Sequence, residues 1–234
     1  DVAEYTHPLG LELVYIPAGE FTMKFRESEI SCTVKLTRDF YMTKYEITNE
    51  QYVAFLNDIK ENVGYDAYLR DISDDNPTNF RKINHIYYKN SKDHAKKSTN
   101  TTIKYPILYR WTSVSGDKAT HIAYDHDGTK TFSISPTYKK HPAANIGWFG
   151  AYEYALWAGG QLPTIAQWQY ACRAGTPGKY YYPDDMKNDY ATMRQYANCS
   201  YDGLGRDGSG NSLSPIAVGY YEEKRPGYLN PWGL

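Results

Sequence analysis

Apolar and polar residues alternate through Leu11–Ile16 and again through Glu20–Met23, a spacing of two that predicts extended strands. Pro17 and Gly19 stand between them, so the pattern predicts a hairpin. Cys32–Leu36 and Asp39–Ile47 continue as strands. At Thr48 the period changes. Thr48 and Gln51 make a capping-box pair, and Tyr52, Phe55, Leu56 and Ile59 then recur every three or four residues. The chain from 48 to 59 is predicted helical, with those four side chains in the core.

From about 60 to 140 the pattern is polar loops broken by short strand candidates, Ile83–Tyr88, Tyr105–Trp111, Thr120–Asp125 and Lys130–Ser135. The last two flank His126-Asp127-Gly128, a hairpin turn. Apolar content here is thin, which predicts an insertion or an expanded sheet edge rather than an independent domain. A second helix is predicted to start near Gly147 and end at Gly159 and Gly160, with Trp148, Ala151, Tyr152, Ala155 and Leu156 facing the core. Pro163 and Thr164 open a third, again with a capping box to Gln167, and Trp168, Ala171 and Cys172 form its predicted buried stripe. Gly175 and Pro177 stop it. Residues 178–234 are rich in Gly, Asp, Asn and Tyr and signal little regular structure. The expected fold class is therefore α+β: about three helices, short antiparallel strands and many loops in one domain over 1–234.

Composition narrows the function. With 41% hydrophobic and 16% aromatic residues in 234, the chain buries a real core and is not disordered. Twenty-six basic and 27 acidic residues leave a net charge of −1, which gives no field to attract nucleic acid. The densest basic run, Lys89–Lys97, is interrupted by Asp93. No apolar run approaches the roughly 18 residues that span a bilayer. The start at Asp1, without methionine, fits a chain cut after a signal peptide, a domain taken from a longer protein or a sequence lacking its first residues, and so carries no targeting information. Cys32, Cys172 and Cys199 have neither CxxC spacing nor an even count, so they outline no disulfide framework or zinc site. Tyrosine is abundant, 25 copies against 7 phenylalanines, and its hydroxyl-tipped ring suits half-wet binding surfaces.

Three motifs fail on context. Residues 203–208 spell GxGxxG, but no apolar strand precedes them and no helix can follow. Asp125–Gly128 starts like an EF-hand loop with its glycine misplaced and no closing glutamate. His121 and His126 could ligate a metal, yet strand periodicity sends them to opposite faces.

Four segments carry a resemblance: "YIPAGEFTM" at 15–23, "YEITNEQYVAFL" at 45–56, "HPAANIGWFGAYEYALWAGGQLPTIAQWQYACRAG" at 141–175 and "SPIAVGYYEEKRPGYLNPWGL" at 214–234. In order and spacing they resemble the formylglycine-generating enzyme, or sulfatase-modifying factor, domain family. That resemblance implies a loop-rich α+β domain with a C-type-lectin-like core, in which 60–140 is a family-atypical insertion. The family hosts oxidases that convert a sulfatase cysteine to formylglycine with copper and oxygen, and also non-catalytic binding proteins. In the oxidases the copper-binding cysteine pair lies downstream of a segment resembling "GLYDMxGNVWEW", and this sequence ends at Gly233-Leu234, its first two residues. No catalytic residue is assigned, and copper is expected only with a further C-terminal segment. Where the family resembles "GRLPTEAEWEYA", this chain has neutral Gln161, Ile165, Gln167 and Gln169. The resemblance also implies a structural calcium loop built from the Asn198 side chain, the Cys199 carbonyl, Asp207 and the Ser209 carbonyl, hard oxygens on a glycine-rich loop.

The expectation is a non-catalytic binding or structural module, extracellular, periplasmic or at the cell surface, with a protein or small-molecule ligand. The alternatives are the oxidase, and a subunit whose neighbour completes the core.

Overall fold

Val14 and Ile16, two residues apart, point the same way from one strand and are both fully buried, which locates the first core. The computed structural model describes residues 4–24, 31–63, 83–87, 107–112, 121–124, 129, 131–176, 181, 190–199, 215–224 and 229–234. Among these, the strands are β1 (Glu4–Thr6), β2 (Glu12–Ile16), β3 (Gly19–Lys24), β4 (Ser31–Leu36), β5 (Phe40–Thr43), β6 (Ile83–Tyr87), β7 (Ile107–Thr112), β8 (Ile122–Tyr124) and β9 (Phe132–Ile134). The α-helices are α1 (Asn49–Val63), α2 (Trp148–Trp157), α3 (Ile165–Arg173), α4 (Tyr190–Tyr196) and α5 (Tyr220–Lys224). The fold is α+β and loop-rich, and every strand pairing among the described residues is antiparallel. The last two helices are short and lie where the sequence pattern signalled little. The chain gathers into two bodies, one drawn from 1–46 and 163–234, the other from 47–162.

In the first body β2 is the middle strand of the sheet β1-β2-β5, with Val14 opposite both Glu4 and Met42. β3 and β4 form a separate ribbon, Gly19 opposite Leu36. The hairpin expected from β2 and β3 is therefore not formed. Pro17 has no N–H to give a ladder, and the Ala18 N–H donates to the Asp39 carboxylate at 2.7 Å, so the chain leaves the first sheet there. α3 opens on the predicted capping box: the Thr164 hydroxyl accepts from the Gln167 N–H at 3.2 Å and the Gln167 side chain accepts from the Thr164 N–H at 2.9 Å. The helix ends at Ala174 in the left-handed conformation, followed by Gly175 with φ 82°. Its Tyr170 and Ala171 pack on Val14 and Ile16, with Phe21, Leu36, Phe40, Met42, Trp232 and Leu234 around them. Trp168, expected in this core, is instead 56% exposed, and Cys172 is half-buried.

In the second body α1 presents the predicted face. Tyr52, Phe55, Leu56 and Ile59 are buried together with Val53, and Ile122, Phe132 and Tyr154 join them. Each such side chain contributes about 1.5–3 kcal/mol when removed from water. Ile122 and Phe132 come from the 60–140 segment, so that segment supplies part of this core. Asn57 clamps β9 through both backbone groups of Phe132: its amide nitrogen donates to the Phe132 carbonyl at 2.9 Å and its oxygen accepts from the Phe132 N–H at 2.8 Å. β8 and β9 pair as predicted, Ile122 opposite Ile134, and β6 and β7, predicted as strands without a stated partner, pair with each other. α2 turns a different face inward from the one expected. Gly150 and Tyr154 are buried and Trp157 packs beside them, whereas Trp148 and Leu156 are 64% and 48% exposed.

Candidate functional site

Among the described residues of the first body, a connected polar group surrounds Lys44, the residue after β5. Its side chain is only 8% exposed, and its ammonium donates to Glu4 and to Glu222 of α5, each at 3.0 Å. The Tyr45 hydroxyl donates to the second oxygen of Glu222. Burial works against the charged lysine, but the bonds to two carboxylates outweigh it and raise its proton affinity. Burial, then the Glu222 bond, pushes the Tyr45 hydroxyl up to about 12. Glu222 is held below the usual carboxylate range, first by the Tyr45 bond and then by Lys44. At neutral pH these are a cation, an anion and a neutral phenol, each far from the midpoint that proton transfer needs. The cluster is a tie between distant parts of the chain.

A second tie closes the chain end onto α3. Asn230 is 5% exposed; its amide nitrogen donates to the carbonyls of Ala171 and Cys172 at 2.9 and 3.3 Å, and its oxygen accepts from the Trp232 and Leu234 N–H groups at 3.0 Å. Trp232 thereby lies 4.8 Å from the Tyr170 ring, centre to centre. Lys44, Tyr45, Glu222 and Asn230 were not singled out from the sequence, because their partners are far away along the chain and leave no local pattern.

The exposed aromatic surface has a shape of its own. Trp148 stacks on Tyr152 one turn along α2, ring centres 5.2 Å apart and planes 10° from parallel, while Phe149 meets Trp148 edge-on at 5.1 Å. Leu156 continues that line by one more turn. In the first body α3 separately exposes Ile165 and Trp168.

Of the predicted calcium ligands, Asn198 is exposed just past the end of α4 and Cys199 beside it is half-buried; Asp207 and Ser209 lie outside the described residues. So do His126 and the motifs at 89–97, 125–128 and 203–208. The two described positions supply an amide oxygen and a backbone carbonyl, the hard donors that calcium takes. All three thiols are free: Cys32 is exposed on β4, and burial raises the pKa of Cys172 on α3, which keeps it protonated.

The profile of the sulfatase-modifying factor enzyme 1-like domain matches residues 3–234. The chain belongs to that family. Similar proteins include the formylglycine-generating enzyme of Mus musculus, 26% identical over 74% of this chain and 43% of that protein. A serine/threonine-protein kinase pkn1 of Chlamydia caviae is 48% identical over 72% of this chain and 20% of its own length. Among solved structures, PvdO from Pseudomonas aeruginosa aligns with a TM-score of 0.43 and 16% identity, over 80% of this chain and 57% of that one. This sulfatase-modifying factor domain spans about two fifths of the length of the mouse enzyme. Among its described residues, no helix is long and apolar enough to cross a membrane.

Proposed function

We propose that this sulfatase-modifying factor domain is a non-catalytic binding or structural module, exported or displayed at a cell surface, that contacts its ligand through the aromatic face of α2. The observation that carries this reading is Trp148, 64% exposed yet held in a stack on Tyr152. A ring already fixed in place loses little freedom on binding, and large aromatic anchors dominate contact surfaces. The ligand is a protein or small molecule, and a neighbouring subunit belongs to the same class. Trp148→Ser should abolish capture of that ligand while shifting the unfolding midpoint by less than about 0.5 kcal/mol, as expected of an exposed position. Unaltered capture would sink the reading.

The relatives named formylglycine-generating enzyme support a second reading, oxidation of a sulfatase cysteine. Copper for that reaction needs converging soft thiolates. The described cysteines do not fit it, since Cys172 is kept protonated by burial and Cys32 is exposed on another element. Incubating the protein with copper, oxygen and a cysteine peptide of sulfatase type tests both readings, because aldehyde on the peptide would establish the enzyme.

Calcium at Asn198, Cys199, Asp207 and Ser209 would be structural. With a dissociation constant on the order of 0.1 mM, about 1 mM calcium adds roughly 1.4 kcal/mol. Chelator should lower the melting temperature of the parent protein and leave Asp207→Asn unmoved.

A further inference from the structure

His121, Tyr138 and His141 of the second body form a tight ring cluster whose polar capacity is not used up. His121 immediately precedes β8, and its imidazole lies flat on the Tyr138 ring, centres 3.4 Å apart and planes 5° from parallel. His141 stands at the edge of the same tyrosine, 5.3 Å away and tilted by 68°. The two imidazole centres are 6.4 Å apart, with planes at 72°. Nδ1 of His141 is buried and has no hydrogen-bond partner among the described residues. A buried acceptor or donor left in this state costs roughly 1–3 kcal/mol, so something beyond the described residues is expected to satisfy it.

The backbone around the cluster is fixed. The His141 carbonyl accepts from the Asn49 N–H at 2.8 Å, and the Tyr138 carbonyl accepts from the Asn49 side chain at 3.0 Å. Asn49 is 1% exposed at the start of α1. The ion pair of Lys139 with Glu50, at 2.6 Å, sits on the same junction. The turn that carries Tyr138 and His141 is thus held from behind by the start of α1, and His121 is placed by its stack on Tyr138.

From this arrangement we infer that His121 and His141 form a two-imidazole seat for a divalent first-row metal ion of the zinc, nickel and copper group. A metal–nitrogen bond of about 2.1 Å puts ring centres that share one ion about 4.5–6.5 Å apart, depending on the bond angle. The observed 6.4 Å lies in that range, and a shortening of roughly 1 Å by side-chain rotation gives the tetrahedral value. Stacking on Tyr138 engages a face of His121 and leaves its in-plane lone pair for a ligand. Imidazole suits these three metals better than magnesium or calcium. No group of three or more His, Cys, Asp or Glu side chains with metal-binding geometry occurs among the described residues, so water fills the remaining positions. The ion would clip the start of β8 to the loop that seats α1.

The test uses the whole untagged chain and zinc chloride in an isothermal titration. The expected result is one ion per chain, with binding weakened at least about tenfold by His141→Gln and by His121→Phe, the second of which keeps the stack on Tyr138. Nickel gives a second readout: the methyl resonances of Ile122, next to His121, should broaden in the parent protein and stay sharp in His141→Gln. Absence of zinc binding, binding that survives both substitutions, or equal broadening in the two proteins would overturn the site.

Discussion

Gly19 is the residue at which the first body is least forgiving. A β-carbon built there would overlap the Tyr170 hydroxyl and lie 3.1 Å from its ring carbon, and the ring cannot retreat, because Phe21 and Trp232 pack against it. Gly19→Ala should cost about 1–3 kcal/mol in urea unfolding, and adding Tyr170→Phe, which deletes the overlapping hydroxyl, should recover part of the loss. Glu222 makes a prediction in pH. Its native pKa is lowered, so its contribution is present above its ordinary value of 4.5 and lost as the pH falls through the lowered native one. Tyr45 is raised, so its contribution is present below its ordinary 10 and lost on approach to about 12. Glu222→Gln should cost about 1 kcal/mol at pH 7, discounted for its exposure, and should flatten the acid limb of stability against pH. An unchanged acid limb would show the tie to be slack.

At the scale of elements, capping chemistry was legible and facing was not always so. Thr48-Gln51 and Thr164-Gln167 announced two helix starts, and both capping pairs are made. Thr164→Ala should destabilise by about 1 kcal/mol in thermal unfolding and Thr164→Ser by much less. α1 could be oriented from sequence because polar residues such as Asn57 and Asp58 mark where its apolar face ends. α2 could not: in WFGAYEYALW only Glu153 is charged, and a helix that is apolar nearly all round has no period to choose its inner side. Tyr154 took the core position expected for Trp148. The Lys44 and Asn230 ties were invisible for another reason, since each joins segments that only the fold brings together. The calcium ligands rested on family likeness, and half of them fall outside the described residues.

For the whole molecule, two cores each combine aliphatic and aromatic side chains. The one around α1 brings Tyr52, Phe55 and Tyr154 into mutual contact at 5.3 to 5.7 Å. The other buries Val14, Ile16 and Ala171 with Tyr170, on which Phe21 and Trp232 pack. Thiol labelling under native conditions should separate the surface from the second of these: Cys32 reacts at once, and Cys172, raised by burial, at least about tenfold more slowly, as peptide mapping would show. Equal rates would mean that α3 opens readily.

The first body's two stretches, 1–46 and 163–234, have a consequence for birth on the ribosome. Lys44 must wait for Glu222, 178 residues later, which at roughly 5 to 20 residues per second is about 10 to 35 seconds of translation. For most of that interval, until Ile165–Arg173 are made, Val14 and Ile16 have no α3 to cover them, and residues 47–162 are complete and free to collapse first. The nascent chain should therefore be a chaperone client at its amino-terminal strands, and slowing translation before residue 163 should lengthen that exposure and lower the yield of folded protein.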